Sequence, residues 1–559
     1  MVPESESATG LDLTFRTLAR SENQTATQLL VAGLDCSSRT VQEKSVDSLL
    51  ERRDLEGHLA LLTRWPELRE YLRQRVCQKG DRLSGALKVA LESADHGLFQ
   101  NACQVAVAVR EYSAIVPLVH AAQAPDVQRA RIAAQTVLDL AEALYDELAA
   151  PRDYRERRDP QRVRQHVTGC LELALARSSS PVSAEIVEAF LLLANPDNSL
   201  LRRILEDASQ SHHRLVRQVF ERSPRAGVFR LLLRYIETSA PSAVLEVIAK
   251  RNDVPFLKRL ARVFSADLTE AVRRNLRRIE RFAWFADPGS LFALTDQEQA
   301  ALVTAARNCG APVDELIAFY RRILECAQPA AQRAAVAALA DIPGPEADRL
   351  VIAALDSTAP DVQAEAIRQI RPRSIPNGLE LLLTFVDCPH PQVRAALRES
   401  LVEFNALRYL HAFEMLSEEA RATVGVLVRK LDVNAIDTLR TELTSPSRMR
   451  RLRGLQAAIA MEAAKELQTE ILELLEDEDH IIRTEAARAL GQARGSHVVR
   501  ALHDALHDRS VAVQAAAQEA LQIMMQSRPS VSTVQAVSPF VAQHLTGNTT
   551  PPAAFPAGQ

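Results

Sequence analysis

The chain has 559 residues, a formal net charge of −4 and a composition dominated by Ala, Leu, Val, Gln, Glu and Arg. Most of these residues favour helices, while glycine, with 18 residues, and aromatic residues, at 4%, are scarce. The hairpin dipeptide Asp-Gly is absent, and Asn-Gly occurs once, at Asn377-Gly378, which disfavours a sheet-rich fold. The composition therefore predicts an all-α protein.

Cysteine usage and hydropathy indicate the compartment. Seven cysteines are present, an odd number, and none forms a Cys-x-x-Cys motif, so reduced thiols are expected. The first ten residues are acidic and Ser-rich without an apolar core. No stretch approaches the roughly 18 consecutive apolar residues that a membrane helix requires. We therefore predict a cytoplasmic protein with no membrane partner.

The first half of the chain carries a weak helical repeat. Residues 1–19 are predicted to be a flexible N-terminus, and residues 20–319 a degenerate half built of helical repeats. The pentapeptide Ala-Pro-Asp-Val-Gln at 124–128 recurs unchanged at 359–363, in the more regular half. Residues 140–165 break the period, so we predict an irregular insertion or a long polar loop there.

A basic stretch lies between residues 201 and 285, with 18 Lys and Arg against 9 Asp and Glu, a local net charge of +9. A helix around 271–285 is predicted to carry four arginines on one face, at i, i+3, i+4 and i+7, followed by aromatic residues. Arginine forks suit carboxylate or phosphate groups, and an adjoining ring suits stacking on a base. A solvated helix face, an acidic protein partner or acidic segment of the same chain, and nucleic acid all fit this pattern. The predicted contact residues are Arg273, Arg274, Arg277, Arg278, Arg281 and Trp284.

The repeat is regular over residues 320–526. An Arg or Gln returns at intervals of 27 to 32 residues, followed by apolar residues at helical spacing, as from Ile482 to Leu490 around Arg483. A single helix pair cannot bury such a stripe, so we predict stacked pairs with a concave inner face. Residues 527–559, rich in Pro, Ser, Thr and Ala, are predicted to be a disordered tail. The anchor residues of the repeat are Arg333, Gln363, Arg394, Arg421, Arg453, Arg483 and Gln514.

These units resemble HEAT repeats, specifically the short bacterial HEAT-like repeats of about 30 residues that also occur in phycobilisome lyase subunits. The resemblance implies a right-handed α-solenoid of stacked antiparallel helix pairs, a HEAT/armadillo-like superhelix. It also implies scaffolding or partner binding, and a hydrogen-bonded ladder made by an Asp and an Arg four residues later. Asp479 and Arg483 match both ladder positions, whereas Gln replaces Arg at 363 and 514. The packing pattern is therefore expected along the whole array, and the ladder only in part.

Candidate catalytic groups are few. His503 and His507 have the i, i+4 spacing of a shared metal site, but no third ligand is evident, and the repeat register makes His507 a solvated position between helices. Cys388 and His390 could form a nucleophile and base, but Cys36 shares the register position of Cys388 in a distant repeat, which is typical of a structural slot.

The other enzyme motifs tested are absent. None of the thirteen histidines is followed by Glu, and no Gly-x-Gly-x-x-Gly, Gly-Lys-Ser/Thr, Gly-x-Ser-x-Gly or His-Glu-x-x-His motif occurs. We therefore predict no catalytic residues, no metal site and no cofactor.

The sequence favours a non-enzymatic HEAT-repeat scaffold that binds an unidentified protein, one with an acidic surface, and no small-molecule substrate is evident. The predicted contact surfaces are the basic segment and the concave face of residues 320–526. The alternative is binding of nucleic acid through the basic helix around 271–285. A third interpretation, lyase-like chromophore attachment, depends on the repeat resemblance alone.

Overall fold

A computed structural model describes residues 10–52, 54–151, 159–177 and 182–526. Within these ranges every regular element is a helix, so the predicted all-α class is confirmed. The chain divides into two compact units, unit 1 at Met1–Leu316 and unit 2 at Ile317–Gln559. None of the described helices combines the length and the apolar composition needed to cross a membrane.

Unit 1 consists of short helices. They are α1 (Gly10–Arg20), α2 (Gln24–Gly33), α3 (Arg39–Arg52), α4 (Leu55–Thr63), α5 (Glu70–Gln78), α6 (Ser84–Glu92), α7 (His96–Ala108), α8 (Ile115–Ala122), α9 (Val127–Ala149), α10 (Pro160–Arg177), α11 (Ala184–Leu193), α12 (Ser199–Glu206), α13 (His213–Arg222), α14 (Ala226–Glu237), α15 (Ser242–Lys250), α16 (Val254–Phe264), α17 (Glu270–Arg277), α18 (Ala283–Ala286), α19 (Gly289–Phe292) and α20 (Asp296–Ala306). Single 3₁₀ turns lie at Trp65–Glu67, Gly80–Leu83 and Tyr112–Ala114.

Helix α21 (Val313–Cys326) begins in unit 1 and ends in unit 2. The remaining helices are α22 (Pro329–Leu339), α23 (Pro345–Ala354), α24 (Pro360–Ile370), α25 (Gly378–Leu383), α26 (Pro391–Ser400), α27 (Ala406–Ala412), α28 (Glu418–Leu431), α29 (Ala435–Leu443), α30 (Arg448–Ala460), α31 (Gln468–Leu474), α32 (His480–Leu490), α33 (Ser496–Ala505) and α34 (Val511–Gln526), with a 3₁₀ turn at Phe413–Met415.

Helix starts follow from local chemistry. Asp126 accepts hydrogen bonds from the N–H groups of Gln128 and Arg129 at the start of α9, and Asp479 accepts one from Ile481 at the start of α32. Helices α22, α24 and α26 instead begin with proline. Proline suits a first helical turn because the N–H that it lacks would have no partner within the helix.

In unit 2, the second helix of each pair packs against the second helix of the next. This row runs through α22, α24, α26, α28, α30, α32 and α34, and α27, α29, α31 and α33 form a neighbouring row. The predicted stripe from Ile482 to Leu490 faces the core, since Ile482, Ala486 and Leu490 have no exposed surface. Removing such stripes from water in layer after layer is what stabilises a solenoid, and the predicted α-solenoid fold is confirmed.

Unit 1 stacks in the same way with less regular helices. One row runs through α7, α9, α11, α14 and α17, and α13 packs against α15 beside it. At 23 residues, α9 extends through Ala149, and α10 begins at Pro160. Residues 140–149 and 160–165 are therefore helical, which corrects most of the irregular insertion predicted at 140–165. Residues 152–158 lie outside the described part of the chain.

The N-terminal prediction also needs correction. Residues 10–19, predicted to be flexible, belong to α1, which packs against α2 and α3. Arg52 fixes the end of this helix by donating to the carbonyl oxygens of Leu18, at 2.6 Å, and Ser21. Residues 1–9 and the predicted tail at 527–559 lie outside the described residues.

Candidate protein-interaction surface

The Arg or Gln that marks each repeat has a structural role. Gln363 donates to the carbonyl oxygen of Leu355 at 3.1 Å, eight residues earlier, where the preceding helix ends. Arg421 donates to Phe413 at 2.7 Å in the same manner, whereas Gln514 donates at 2.7 Å to Asp508, six residues earlier in the turn after α33. The last carbonyl groups of a helix have no partner within it, and a side-chain donor from the next helix satisfies them.

Two anchor positions predicted from the sequence are wrong. Gln332, not Arg333, donates to Leu324 at 2.9 Å. Arg451, not Arg453, donates to Ser445 at 3.1 Å. Arg333 is exposed, while Arg453 pairs with Glu442 at 2.8 Å. In each case the donor is a neighbouring polar residue of the same helix. The periodicity of the sequence does not show which of these residues faces the preceding turn.

A ladder is present in part of unit 2, but it does not use the predicted Asp479, which caps α32 and pairs with Arg448. Arg483 forms two 2.9 Å bonds to the carboxylate of Asp508 in the next repeat, and Arg451 contacts Asp477 at 2.9 Å in the same manner. The hydrogen bond from Arg483 lowers the pKa of Asp508. Where Gln occupies the anchor, its amide still bonds the preceding carbonyl but supplies no charge for the carboxylate, so the ladder is partial.

In unit 1, several arginines reach back to carbonyl groups of an earlier helix. Arg251, only 5% exposed, donates to Phe220 at 2.7 Å and Ser223 at 3.0 Å at the end of α13. Arg230 donates to Leu192 at 3.0 Å at the end of α11. A cation is also favoured there by the negative end of the helix dipole. These arginines belong to the basic stretch but maintain the fold.

The predicted basic helix is shorter than expected. Helix α17 ends at Arg277, and the chain then runs without regular structure through residues 279–282. The N–H of Gly310 donates to Ile279 at 2.9 Å, and a Cβ on Gly310 would stand 2.4 Å from the carbonyl oxygen of Arg277. This close approach fixes the path of the chain away from the helical one, so the predicted face with four arginines does not form.

The structure gives the predicted arginines different roles. Arg278 donates to the carbonyl oxygen of Ala240 at 2.7 Å and to Ser242 at 3.2 Å, which ties α17 to the start of α15. Arg281 lies 3.4 Å from Glu315, and Arg277 lies 3.8 Å from Glu270. The pair of Arg277 is largely exposed and contributes little to stability, whereas the Oε2 of Glu315 that faces Arg281 is buried.

Arg273 and Arg274 differ from the other predicted arginines. Both are exposed on α17 and form no ion pair or side-chain hydrogen bond with any described residue. Six further arginines share these properties, on α12, α13, α14 and α16. They are dispersed along the sequence and so form no run of charge. We call all eight the unpaired arginine set. It consists of Arg202, Arg203, Arg214, Arg222, Arg234, Arg262, Arg273 and Arg274.

Trp284 is not a contact residue. Its side chain is fully buried, with ring centroids 4.7 Å from those of both Phe282 and Phe285. The prediction that it adjoins the arginines as a stacking platform is therefore wrong. The sequence signal for its burial is the run of apolar residues around it, at 276, 279, 282 and 285, which are all buried in the core.

The candidate catalytic groups are dispersed. Among the described residues, no three His, Cys, Asp or Glu side chains are grouped so that they could hold a metal ion. His503 and His507 are exposed on α33 and the turn after it. All seven cysteines are free thiols, and burial raises the pKa of Cys103 to about 11, which makes its thiolate inaccessible at neutral pH.

Comparisons with known proteins add little. No protein-family profile matches the chain, and no curated protein matches its sequence. A chain solved in work on the phosphorylation-controlled interaction between cadherin and β-catenin is 13% identical, with a TM-score of 0.32, covering 89% of this chain and 99% of that one. Yeast importin-β (Kap95p) is also 13% identical, with a TM-score of 0.25, covering 92% of this chain and 70% of that one. The fold assignment depends on the helix packing of this chain, not on these likenesses.

Proposed function

We propose that the protein is a non-enzymatic HEAT-type scaffold of the cytoplasm that binds another protein through the unpaired arginine set. The observation that carries this proposal is the contrast among arginines of the basic stretch. Some are fixed to helix ends, as Arg251 is, whereas eight are exposed without a carboxylate or carbonyl partner. The exposed arginines make no contribution to the packing, so a role outside the fold is the simplest reason for their number.

The chemistry of these side chains defines the partner. A guanidinium binds a carboxylate through two parallel hydrogen bonds. The stretch from residue 201 to 285 holds 18 basic against 9 acidic residues, so its own acids cannot neutralise it. An acidic protein surface supplies the missing carboxylates. Attraction of this kind speeds association and weakens as salt is added.

Nucleic acid is the less favoured partner because the structure removes the aromatic platform on which that alternative depended. Trp284 is buried, and stacking on an exposed ring is a main source of affinity for unpaired bases. Nucleic acid could still bind through contacts between its phosphates and the arginines, and the experiment below distinguishes this outcome. Chromophore attachment is the least favoured function, because burial raises the pKa of Cys170, whose Sγ lies 3.8 Å from His166 Nε2, and so disfavours a reactive thiolate.

The test compares two double variants with the same change of charge. Arg273→Glu with Arg274→Glu alters the unpaired arginine set, and Arg333→Glu with Arg500→Glu alters exposed, unpaired positions in unit 2. Each protein is immobilised and exposed to lysate at low and at high salt. We expect one discrete acidic protein on the wild type and on the unit 2 variant, and at least tenfold less on the Arg273 and Arg274 variant.

Two results would overturn the proposal. One is recovery of nuclease-sensitive material that is lost at high salt, which would establish nucleic acid as the ligand. The other is equal recovery of the same protein by both variants, which would make the arginines a solvated face.

A further inference from the structure

An open groove lies in unit 1 between α15 and the irregular segment at residues 279–282. It has a volume of about 380 Å³. Leu245, Ala249 and Ile279 form its apolar floor, and Lys250 and Arg281 stand at its rim. Leu245 and Ile279 are 3% and 2% exposed, so the floor is fixed by the core of the solenoid and does not depend on loose surface side chains.

The groove lies where a non-helical segment, and not a helix, faces α15. Helix α13 packs against one side of α15. Across the groove from α15 the chain leaves α17 at Arg277 and passes as residues 279–282, which are not helical. Gly310 holds this path through its hydrogen bond to Ile279 and its close approach to Arg277. A narrow, irregular segment covers less of α15 than a helix would, and a channel is left.

The segment also offers backbone groups for binding. The N–H groups of Glu280 and Arg281 and the carbonyl oxygen of Glu280 form no hydrogen bond with any described residue. Phe282 continues the segment with extended backbone, at φ −93° and ψ 142°. Unpaired groups on an extended chain pair readily with a second extended chain, as at the edge of a sheet.

The charged side chains at the rim of the groove determine which peptides it can bind. The side chains of Lys250 and Arg281 are 62% and 58% exposed. Lys250 pairs with Glu221 at 3.9 Å and the Nε of Arg281 with Glu315 at 3.4 Å, so other donor hydrogens of both side chains can still bind a carboxylate. Glu246 is engaged by Arg217 at 3.0 Å. Glu280 is exposed at the groove and forms no ion pair with a described residue. An occupant with carboxylates near Lys250 and Arg281 fits this rim.

We propose that this groove binds an extended acidic peptide segment of a partner protein. Such a peptide places an apolar side chain on Leu245, Ala249 and Ile279, and its backbone pairs with the N–H and carbonyl groups of Glu280. The inference rests on the proposed function, since it takes unit 1 to be a protein-binding unit. The pull-down above tests the unpaired arginine set, and a separate variant tests the groove.

The experiment selects peptides from a displayed library of random decapeptides on the immobilised full chain. The enriched sequence is then synthesised with a fluorescent label and titrated by anisotropy. The test variant is Ala249→Trp, which fills the floor of the groove. Its matched control is Ala334→Trp, a half-buried alanine on α22.

We expect enriched peptides to carry an apolar residue flanked by Asp or Glu. Affinity should fall at least tenfold with Ala249→Trp and less than twofold with Ala334→Trp. Glu280→Gln should raise affinity about two- to threefold by removing a repelling charge, and N-methylation of the central peptide residues should abolish binding.

Enrichment of basic peptides, or equal affinity for the Ala249→Trp and Ala334→Trp variants, would overturn the groove as the site. If Ala249→Trp fails to fold, Lys250→Glu provides the test, and unchanged affinity with it contradicts the proposal. Failure of the groove alone leaves the pull-down result with Arg273 and Arg274 intact.

Discussion

The basic stretch of unit 1 and the repeats of unit 2 use arginine differently. In unit 2, arginines such as Arg451 and Arg483 join one repeat to the next through carboxylates that the repeats themselves provide. In the basic stretch, Arg217 also pairs with a carboxylate, Glu246, at 3.0 Å, and Arg251 and Arg230 bond backbone carbonyls. Eight other arginines there form no ion pair or side-chain hydrogen bond with a described residue. Charge density alone therefore does not mark a binding site. The distinction lies in which arginines the fold already uses.

We expect the largest change in unfolding free energy at Trp284, which was predicted to lie on the surface and is buried in the core. Trp284→Ala removes a fully buried indole packed against Phe282 and Phe285, so we expect a loss of about 4 kcal/mol of unfolding free energy. Thermal unfolding of the full chain gives the measurement, with Trp284→Phe as the milder control. A variant that kept its stability but lost the partner would restore Trp284 as a contact residue.

Arg251→Ala should follow. It leaves the carbonyl groups of Phe220 and Ser223 without their donor, and Asp253 without the guanidinium at 2.8 Å. Breaking such a buried arrangement costs about 3 kcal/mol. Hydrogen exchange should report the loss first in α13 and α15. Arg262→Ala, an exposed arginine nearby, is the control, and similar losses from both would erase the distinction between structural and unpaired arginines.

The ladder of unit 2 should make stability depend on pH. The pKa of Asp508 is lower in the folded protein than its ordinary value of 3.8, chiefly because Arg483 donates to it. A carboxyl with a depressed folded pKa stabilises above its unfolded pKa, and this contribution disappears as pH falls through the folded value. We expect Asp508→Asn to cost about 1.5 kcal/mol at pH 7.

That difference should shrink below pH 4 and vanish in stronger acid. Thermal midpoints measured from pH 7 to pH 2 provide the check. Asp504→Asn, an exposed neighbour on α33, should show no such trend, and a constant difference for Asp508→Asn would contradict the assigned role of the ion pair.

The smallest effect belongs to the unpaired arginine set. Arg273→Glu with Arg274→Glu should change the unfolding free energy by less than about 0.5 kcal/mol, because exposed side chains without partners add little to stability. The same thermal scan measures it and shows that the binding test compares folded proteins. A loss of several kcal/mol would place these two arginines with Arg251 among the structural ones.

The sequence predicted the architecture well because packing in a solenoid is local and repetitive. The stripe from Ile482 to Leu490 and the anchor at Gln363 have the positions that their periodicity indicated. The prediction of the hydrogen-bond donor was wrong at Arg333 and Arg453. There a neighbouring polar residue is the donor, and the path of the preceding turn determines which of the two it is.

The candidate site was predicted less well because its geometry depends on distant contacts. No residue from Arg277 to Arg281 breaks a helix by its own propensity. The helix ends there because Gly310, about thirty positions later, bonds Ile279. Because of that contact, Arg278 and Arg281 do not share a helix face and have different partners. Only the tertiary structure shows this contact.

Arginines such as Arg251 bond the carbonyl groups at the end of an earlier helix. This sets a minimum length for a fragment of the chain that can fold by itself. A chain shortened after α14 would keep every residue of α13 but lose Arg251, which satisfies the carbonyl groups at its end. Loss of order at a new terminus would therefore spread to the helix before it. The cooperative folding unit is longer than one helix pair, so shortened chains should end beyond the arginine that serves the preceding helix, not at the helix boundary itself.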